Sequence, residues 1–300
     1  MIFNTSSIRL LWRLFRPHTL TASFIPVLIG TTLAWKATRH LHWMLFGAML
    51  VASILIQAAT NMFNEYFDHM SGLDTTESVG IAGVITQDGV RPKAILHTAV
   101  ATLALATLLG FYICAHSSWW LAPIGAISML VGYLYAGGPF PISATSFGEL
   151  FAGGFMGSGI VLLSCFIQQR SIHMHEVLLS IPCAVLIGAI LTSNNIRDLD
   201  SDRRNGRHTL AIRLGHKWAV RFLSSSLLFA NIWIILLSLF QVESPWALLA
   251  LGSLWPAILA VQEFRGEQTP AQMLQGMRRV AETNTIFGIL LVIGLLAGAY

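Results

Sequence analysis

Nine apolar runs follow one another along the chain, near residues 18–36, 42–62, 94–114, 118–136, 147–168, 176–194, 218–240, 245–262 and 281–299. Each approaches the roughly twenty residues that a helix needs to cross a bilayer. A soluble core uses shorter apolar segments, and nine such runs in series are not what it needs. The period-two alternation of a membrane β-barrel is absent. A lipid-exposed backbone must satisfy its own hydrogen bonds, so the spans are expected to be helical. The expected fold is all-α: a multi-span transmembrane bundle in a single domain over residues 1–300. Charged residues are 11% of the chain, against about 25% in a soluble domain.

Orientation follows from Lys and Arg. With the N-terminus inside, the inner segments hold 15 of the 18 basic residues, and only Lys36, Arg39 and Arg170 fall on the outer side. The net charge of +4 therefore reflects topology rather than nucleic-acid binding. Residues 1–17 carry three arginines but no apolar stretch followed by a cleavage-type site, so no removable leader is expected. Trp12, Leu14 and Phe15 among those arginines suggest a short helix on the inner leaflet. Cys114, Cys165 and Cys183 lie in apolar runs without metal-ligand spacing and are expected to pack.

The few acids are concentrated. Eight of the 14 lie in two stretches and the loops after them: Glu65, Asp68, Asp74, Glu77 and Asp88, then Asp198, Asp200 and Asp202. On a helix, residues three or four apart share a face. Asn61, Asn64, Glu65 and Asp68 then form one stripe, and Asn194, Asp198 and Asp202 a second. Asp200 points off its stripe, toward Arg204. Asn64-x-x-x-Asp68 recurs as Asn194-x-x-x-Asp198, suggesting two similar helices facing one cavity. An acid at mid-membrane costs about 2.5–3.5 kcal/mol on insertion scales, and a bound divalent cation would relieve that cost. Oxygen-only donors favour a hard ion such as Mg²⁺, which commonly shares its shell with substrate phosphates. Arginines beyond the second stripe would contact the phosphate oxygens. A cation-coupled transporter is the competing class, but it places its acids near the midplane rather than at one face. His18 and His69 lack ligand spacing and are assigned ordinary hydrogen-bonding roles. Glu282 and Asn284 open the ninth run, where they reach the cavity or cap the helix.

Longer strings carry a resemblance. Arg16-Pro-His-Thr-Leu20, Asn61 to Asp74, Tyr135 to Glu149, and Asn194 to Gly215 are similar to motifs of the UbiA-type intramembrane prenyltransferases. Gly137-Gly138-Pro139, inside the third string, should end a helix. The resemblance implies nine helices around a central cavity with a diphosphate site at its cytoplasmic end, in the cytoplasmic (inner) membrane. It implies Mg²⁺ held by Glu65, Asp68, Asp198 and Asp202. It implies substrate contacts from Asn61, Asn64, Asn194, Lys93, Arg197, Arg203, Arg207 and Arg213, with Tyr135 orienting the acceptor. The implied substrates are a polyprenyl diphosphate and an aromatic acid. Within the family, the strings most resemble members that prenylate 1,4-dihydroxy-2-naphthoate. Members acting on 4-hydroxybenzoate, homogentisate or a haem precursor share the acidic motifs. Glu65 stands where the family usually has Asp.

Overall fold

The computed structural model describes residues 10, 12–17, 19–73, 83–266 and 269–299. Arg9, His18, Asp74 and Glu77 lie outside these residues. The helices are α1 Thr21–Thr38, α2 Trp43–Met70, α3 Val84–Asp88, α4 Pro92–His116, α5 Leu121–Ala136, α6 Gly148–Gln169, α7 Met174–Arg197, α8 Leu199–Arg204, α9 Leu210–Leu214, α10 His216–Leu239, α11 Pro245–Glu263 and α12 Pro270–Ala297. No strand occurs among the described residues. Seven helices (α2, α4, α6, α7, α10, α11 and α12) are long and apolar enough to cross a membrane.

The other two expected spans, α1 and α5, fall short for separate reasons. Helix α1 carries Thr21, Ser23, Thr31, Thr32 and Lys36. Helix α5 has 16 residues, about 24 Å of helix, because the chain breaks at Gly137-Gly138-Pro139 and Gly138 takes φ +88°. Two helices overrun their apolar runs. Nothing between Met62 and Met70 stops a helix, so α2 continues to 28 residues and carries Asn61 to Asp68 on its last turns. Helix α12 starts at Pro270, capped by Thr269 and Gln272. Glu282 and Asn284 are therefore interior to it, correcting their expected place at a helix start. Glu282 is exposed and pairs with Arg279, whereas Asn284 is buried and donates to Thr21 Oγ1.

The bundle inverts the soluble pattern. Leu105, Leu108 and Phe111 of α4, and Ile124, Ile127 and Leu130 of α5, are exposed, as lipid-facing positions must be. Trp43, Trp119, Trp120 and Trp246 are exposed at one end, and Trp12 and Trp218 at the other, where interfacial aromatics gather. Inside, Ile25, Ile29 and Leu33 of α1 pack with Val161, Leu186, Leu223, Phe287 and Leu291. Helices α1 and α6 meet at Gly30, where a Cβ would strike the Val161 carbonyl. The three cysteines are buried and free, as expected. Leu14 is also buried, packed near Ala58 and Met62, so this turn lies on the bundle while Trp12 faces outward.

The end of the bundle opposite the acidic stripes is tied by Glu243, in the α10–α11 loop. Its side chain is inaccessible to solvent and takes Lys36 of α1, His175 of α7 at 3.0 Å and the Ser244 N–H at 2.7 Å. Burial alone would raise its pKa. The bonds from His175, Lys36 and Ser244 outweigh burial and hold it at about 2. A depressed carboxyl stabilises the fold above its ordinary pKa, and that contribution is lost as pH falls toward the folded value. Glu243→Gln should therefore cost on the order of 2 kcal/mol at pH 7, given that Lys36 and His175 stay partly solvated. The gap to wild type should narrow between pH 4.5 and 2, read by thermal unfolding in micelles. A gap constant down to pH 3 would refute this.

Candidate active site at the charged end of a central cavity

A cavity of about 650 Å³ runs down the bundle, lined by α1, α2, α4, α5, α6, α7 and α12. Its far end is apolar, formed by Met49, Ile113, Leu121 and Ile167. Its near end collects Arg16, Asn61, Asn64, Asp68, Tyr135, Asn194, Arg197, Asp198 and Arg207. The two Asn-x-x-x-Asp helices, α2 and α7, both face this space.

Arginines grip the acids. Arg207 donates to Asp68 at 3.0 Å and to Asp202 at 3.2 Å, joining α2 to α8. Arg197 clasps Asp198 with bonds of 2.7 and 2.5 Å. The Asp202 carboxyl is pushed up to about 6, with burial the largest cause. Within that outcome Arg207 acts to lower it, and the Asp198 and Asp68 charges act to raise it. Asp68, Asp198 and Asp202 are thus close enough to feel one another. The loop that holds Arg207 is fixed by the His208 N–H on the Ala144 carbonyl (2.8 Å) and by Ser146 Oγ on the His208 carbonyl (2.7 Å).

Several expected site residues stand elsewhere. Glu65 is 1% exposed and turned from the cavity. Its carboxylate accepts the Gly83 and Ile85 N–H groups (3.1 and 3.2 Å) and meets Arg16 at 3.4 Å. Its extra methylene, relative to Asp, provides the reach to that loop. In this arrangement the carboxylate expected to hold a metal is committed to the 83–85 turn and to Arg16. Asp202 is buried behind Arg207 rather than lining the cavity. Lys93, Arg203 and Arg213 are exposed and do not line it, because each faces solvent from a short helix or a helix start. Asn61 lines the cavity, but its amide is committed to the Phe15 carbonyl, Thr19 and Gln57. Asp200 is exposed, and the ion pairs among the described residues do not join it to Arg204. His69 Nδ1 has no hydrogen-bond partner among the described residues.

Three participants were not singled out from the sequence. Arg16 lines the mouth with its Nε unpartnered. Glu149 accepts from cavity-lining Asn195 at 2.9 Å. Gln57 lies one turn below Asn61, an amide midway along a span, and that position was the available signal.

Among the described residues no three His, Cys, Asp or Glu side chains form a metal cluster. Two cavity-facing carboxylates, Asp68 and Asp198, with the Asn64 and Asn194 amides make an all-oxygen set at the near end. That set suits Mg²⁺, which uses one or two carboxylates and completes its shell with waters and phosphates.

A membrane bundle with a charged mouth above a long apolar cavity suits a substrate that carries an ionic head on a lipid tail. The chain belongs to the UbiA prenyltransferase family, whose profile matches residues 23–278. It is 52% identical to the 1,4-dihydroxy-2-naphthoate octaprenyltransferase of Bacillus subtilis, over 96% of this chain and 92% of that protein. It is 28% identical to the Escherichia coli enzyme of the same name, over 93% and 92%. A UbiA homologue from Archaeoglobus fulgidus, solved bound to DMAPP and Mg²⁺, has the same fold, with a TM-score of 0.64 at 14% identity over 94% of this chain and 99% of that one.

Proposed function

We propose that this chain transfers a polyprenyl group from its diphosphate to 1,4-dihydroxy-2-naphthoate, releasing CO₂ and diphosphate, as one domain over residues 1–300. The observation that carries this is the continuity of one cavity from an ionic mouth to an apolar floor. The diphosphate belongs at the mouth, where Arg16, Arg197 and Arg207 supply guanidinium forks matched to phosphate oxygens. The isoprenoid belongs in the apolar body. The identity to the Bacillus subtilis relative supports the acceptor.

Asp68 and Asp198, with Asn64 and Asn194, would hold Mg²⁺ on the diphosphate. Bound there, the ion supplies positive charge against the charge that develops on the leaving group. The protein's own work is electrostatic and steric. Arginines released from Asp68 and Asp198 turn their N–H groups to the departing oxygens. The apolar walls keep water from the allylic cation while the ring attacks. The allylic C–O bond breaks with its electron pair on diphosphate. A ring carbon forms the new C–C bond, and the electron pair of the lost carboxylate restores aromaticity. Tyr135, beside Arg207 and Asp68 at the mouth, orients the acceptor. The basic-residue count supports a cytoplasmic-membrane enzyme with its N-terminus and mouth facing the cytoplasm.

The test is direct. Purified protein receives Mg²⁺, a polyprenyl diphosphate and either dihydroxynaphthoate or 4-hydroxybenzoate, and products are read by mass spectrometry. A decarboxylated prenylnaphthoquinol is expected, and EDTA should abolish it. Prenylation of 4-hydroxybenzoate alone would refute the acceptor.

A further inference from the structure

Gln57 is 8% exposed, lines the cavity and is oriented by hydrogen bonds of forced direction. The Phe15 carbonyl can only accept, so the Asn61 atom 2.8 Å from it is Nδ2. Asn61 Oδ1 therefore faces Gln57 and accepts from its Nε2 at 3.2 Å. The Thr19 hydroxyl donates to the Arg16 carbonyl at 2.9 Å. Its lone pairs are left to accept from Asn61 Nδ2 at 3.0 Å and Gln57 Nε2 at 3.4 Å. Flipping the Gln57 amide would set its oxygen against Asn61 Oδ1 and the Thr19 lone pairs. Gln57 Oε1 is thus a fixed acceptor, and it has no hydrogen-bond partner.

A buried acceptor without a donor is destabilising, and native folds rarely keep one without a use. Of the three ligand parts in the proposed reaction, two cannot satisfy it. Diphosphate oxygens are acceptors and would be repelled. An isoprenoid has no N–H or O–H. A phenolic hydroxyl on the aromatic ring is a donor. We infer that Gln57 Oε1 receives a hydrogen bond from a ring hydroxyl of the aromatic acceptor, and so selects acceptors that carry a free hydroxyl at that ring position. This rests on the prenyl-transfer reading. Its chemistry suits that reaction, since a hydroxyl that donates a hydrogen bond releases more electron density into the ring.

The experiment compares dihydroxynaphthoate with its two mono-methyl ethers, as substrates or competitive inhibitors. Wild type should prefer the free hydroxyl over one of the ethers by more than about tenfold, because a site built to pair an OH is left unpaired by the ether. Gln57→Leu, or the closer-shaped Gln57→Met, should raise the acceptor KM on the order of tenfold. Either should erase most of that preference and leave the KM for polyprenyl diphosphate unchanged. A merely structural role would weaken all ligands together and leave the preference intact, overturning the assignment. So would a wild-type enzyme indifferent to both ethers. If wild type fails to prenylate dihydroxynaphthoate at all, the underlying reading falls instead.

Discussion

Asp198→Ala should lower kcat/KM for prenyl transfer by about 10²–10³ while the protein still folds, the size of loss seen when one preorganised electrostatic contact is removed. Asp198 lines the mouth, and its side chain is about one-third exposed (29%), while Arg197 beside it is 9% exposed and also touches Met277. Freed of Asp198, Arg197 keeps only its contact to Met277 at 9% exposure, so part of the ion-pair cost should appear as a loss of about 1–2 kcal/mol in thermal unfolding, too little to prevent folding. Asp198→Asn keeps the shape and removes the charge, and it should lose activity comparably and require more Mg²⁺. Initial rates across a Mg²⁺ titration check both. Activity within tenfold of wild type in the two variants would remove Asp198 from the site. Glu65→Gln is the informative contrast. Its carboxylate binds backbone N–H groups of the 83–85 turn, so the expected loss is in thermal stability, with the Mg²⁺ requirement unchanged.

Arg207→Met should give the largest structural effect. One guanidinium bridges Asp68 and Asp202 from two different helices. Without it the two carboxylates repel each other with no cation between them. Stripping one partner from a fully buried ion pair costs about 3–5 kcal/mol. Here Asp68 and Arg207 keep some solvent access, so a loss of about 2–3 kcal/mol is expected, with near-complete loss of turnover. Thermal unfolding in metal-free micelles reads the first and product formation the second. Mg²⁺ should restore part of the stability by supplying the missing charge. An unchanged unfolding temperature without metal would show that Arg207 does not hold the mouth together.

The helical runs were legible because lipid imposes one rule on every backbone group, and twenty apolar residues satisfy it in only one way. Their ends were less legible. Helix α2 runs to Met70 and α12 begins at Pro270, since a helix stops at a breaker or a cap and not where hydropathy falls. The stripe geometry of Asp68 and Asp198 was readable from a spacing of four. The fate of Glu65 was not, because its partners Gly83 and Ile85 are about twenty residues away and meet it only after the loop folds back. Lys93, Arg203 and Arg213 carry the right charge, but charge alone does not say which side of a helix it occupies.

By itself the sequence determined that this protein is a membrane bundle with acids gathered at one face, since composition and period are local properties that every fold of the chain must honour. The tertiary structure alone decided which acids face the cavity, that Arg207 bridges two of them, and that Gln57 keeps an unpaired acceptor inside it. Those outcomes depend on side chains brought together from distant helices. Their hydrogen-bond directions exist only once all the partners are in place.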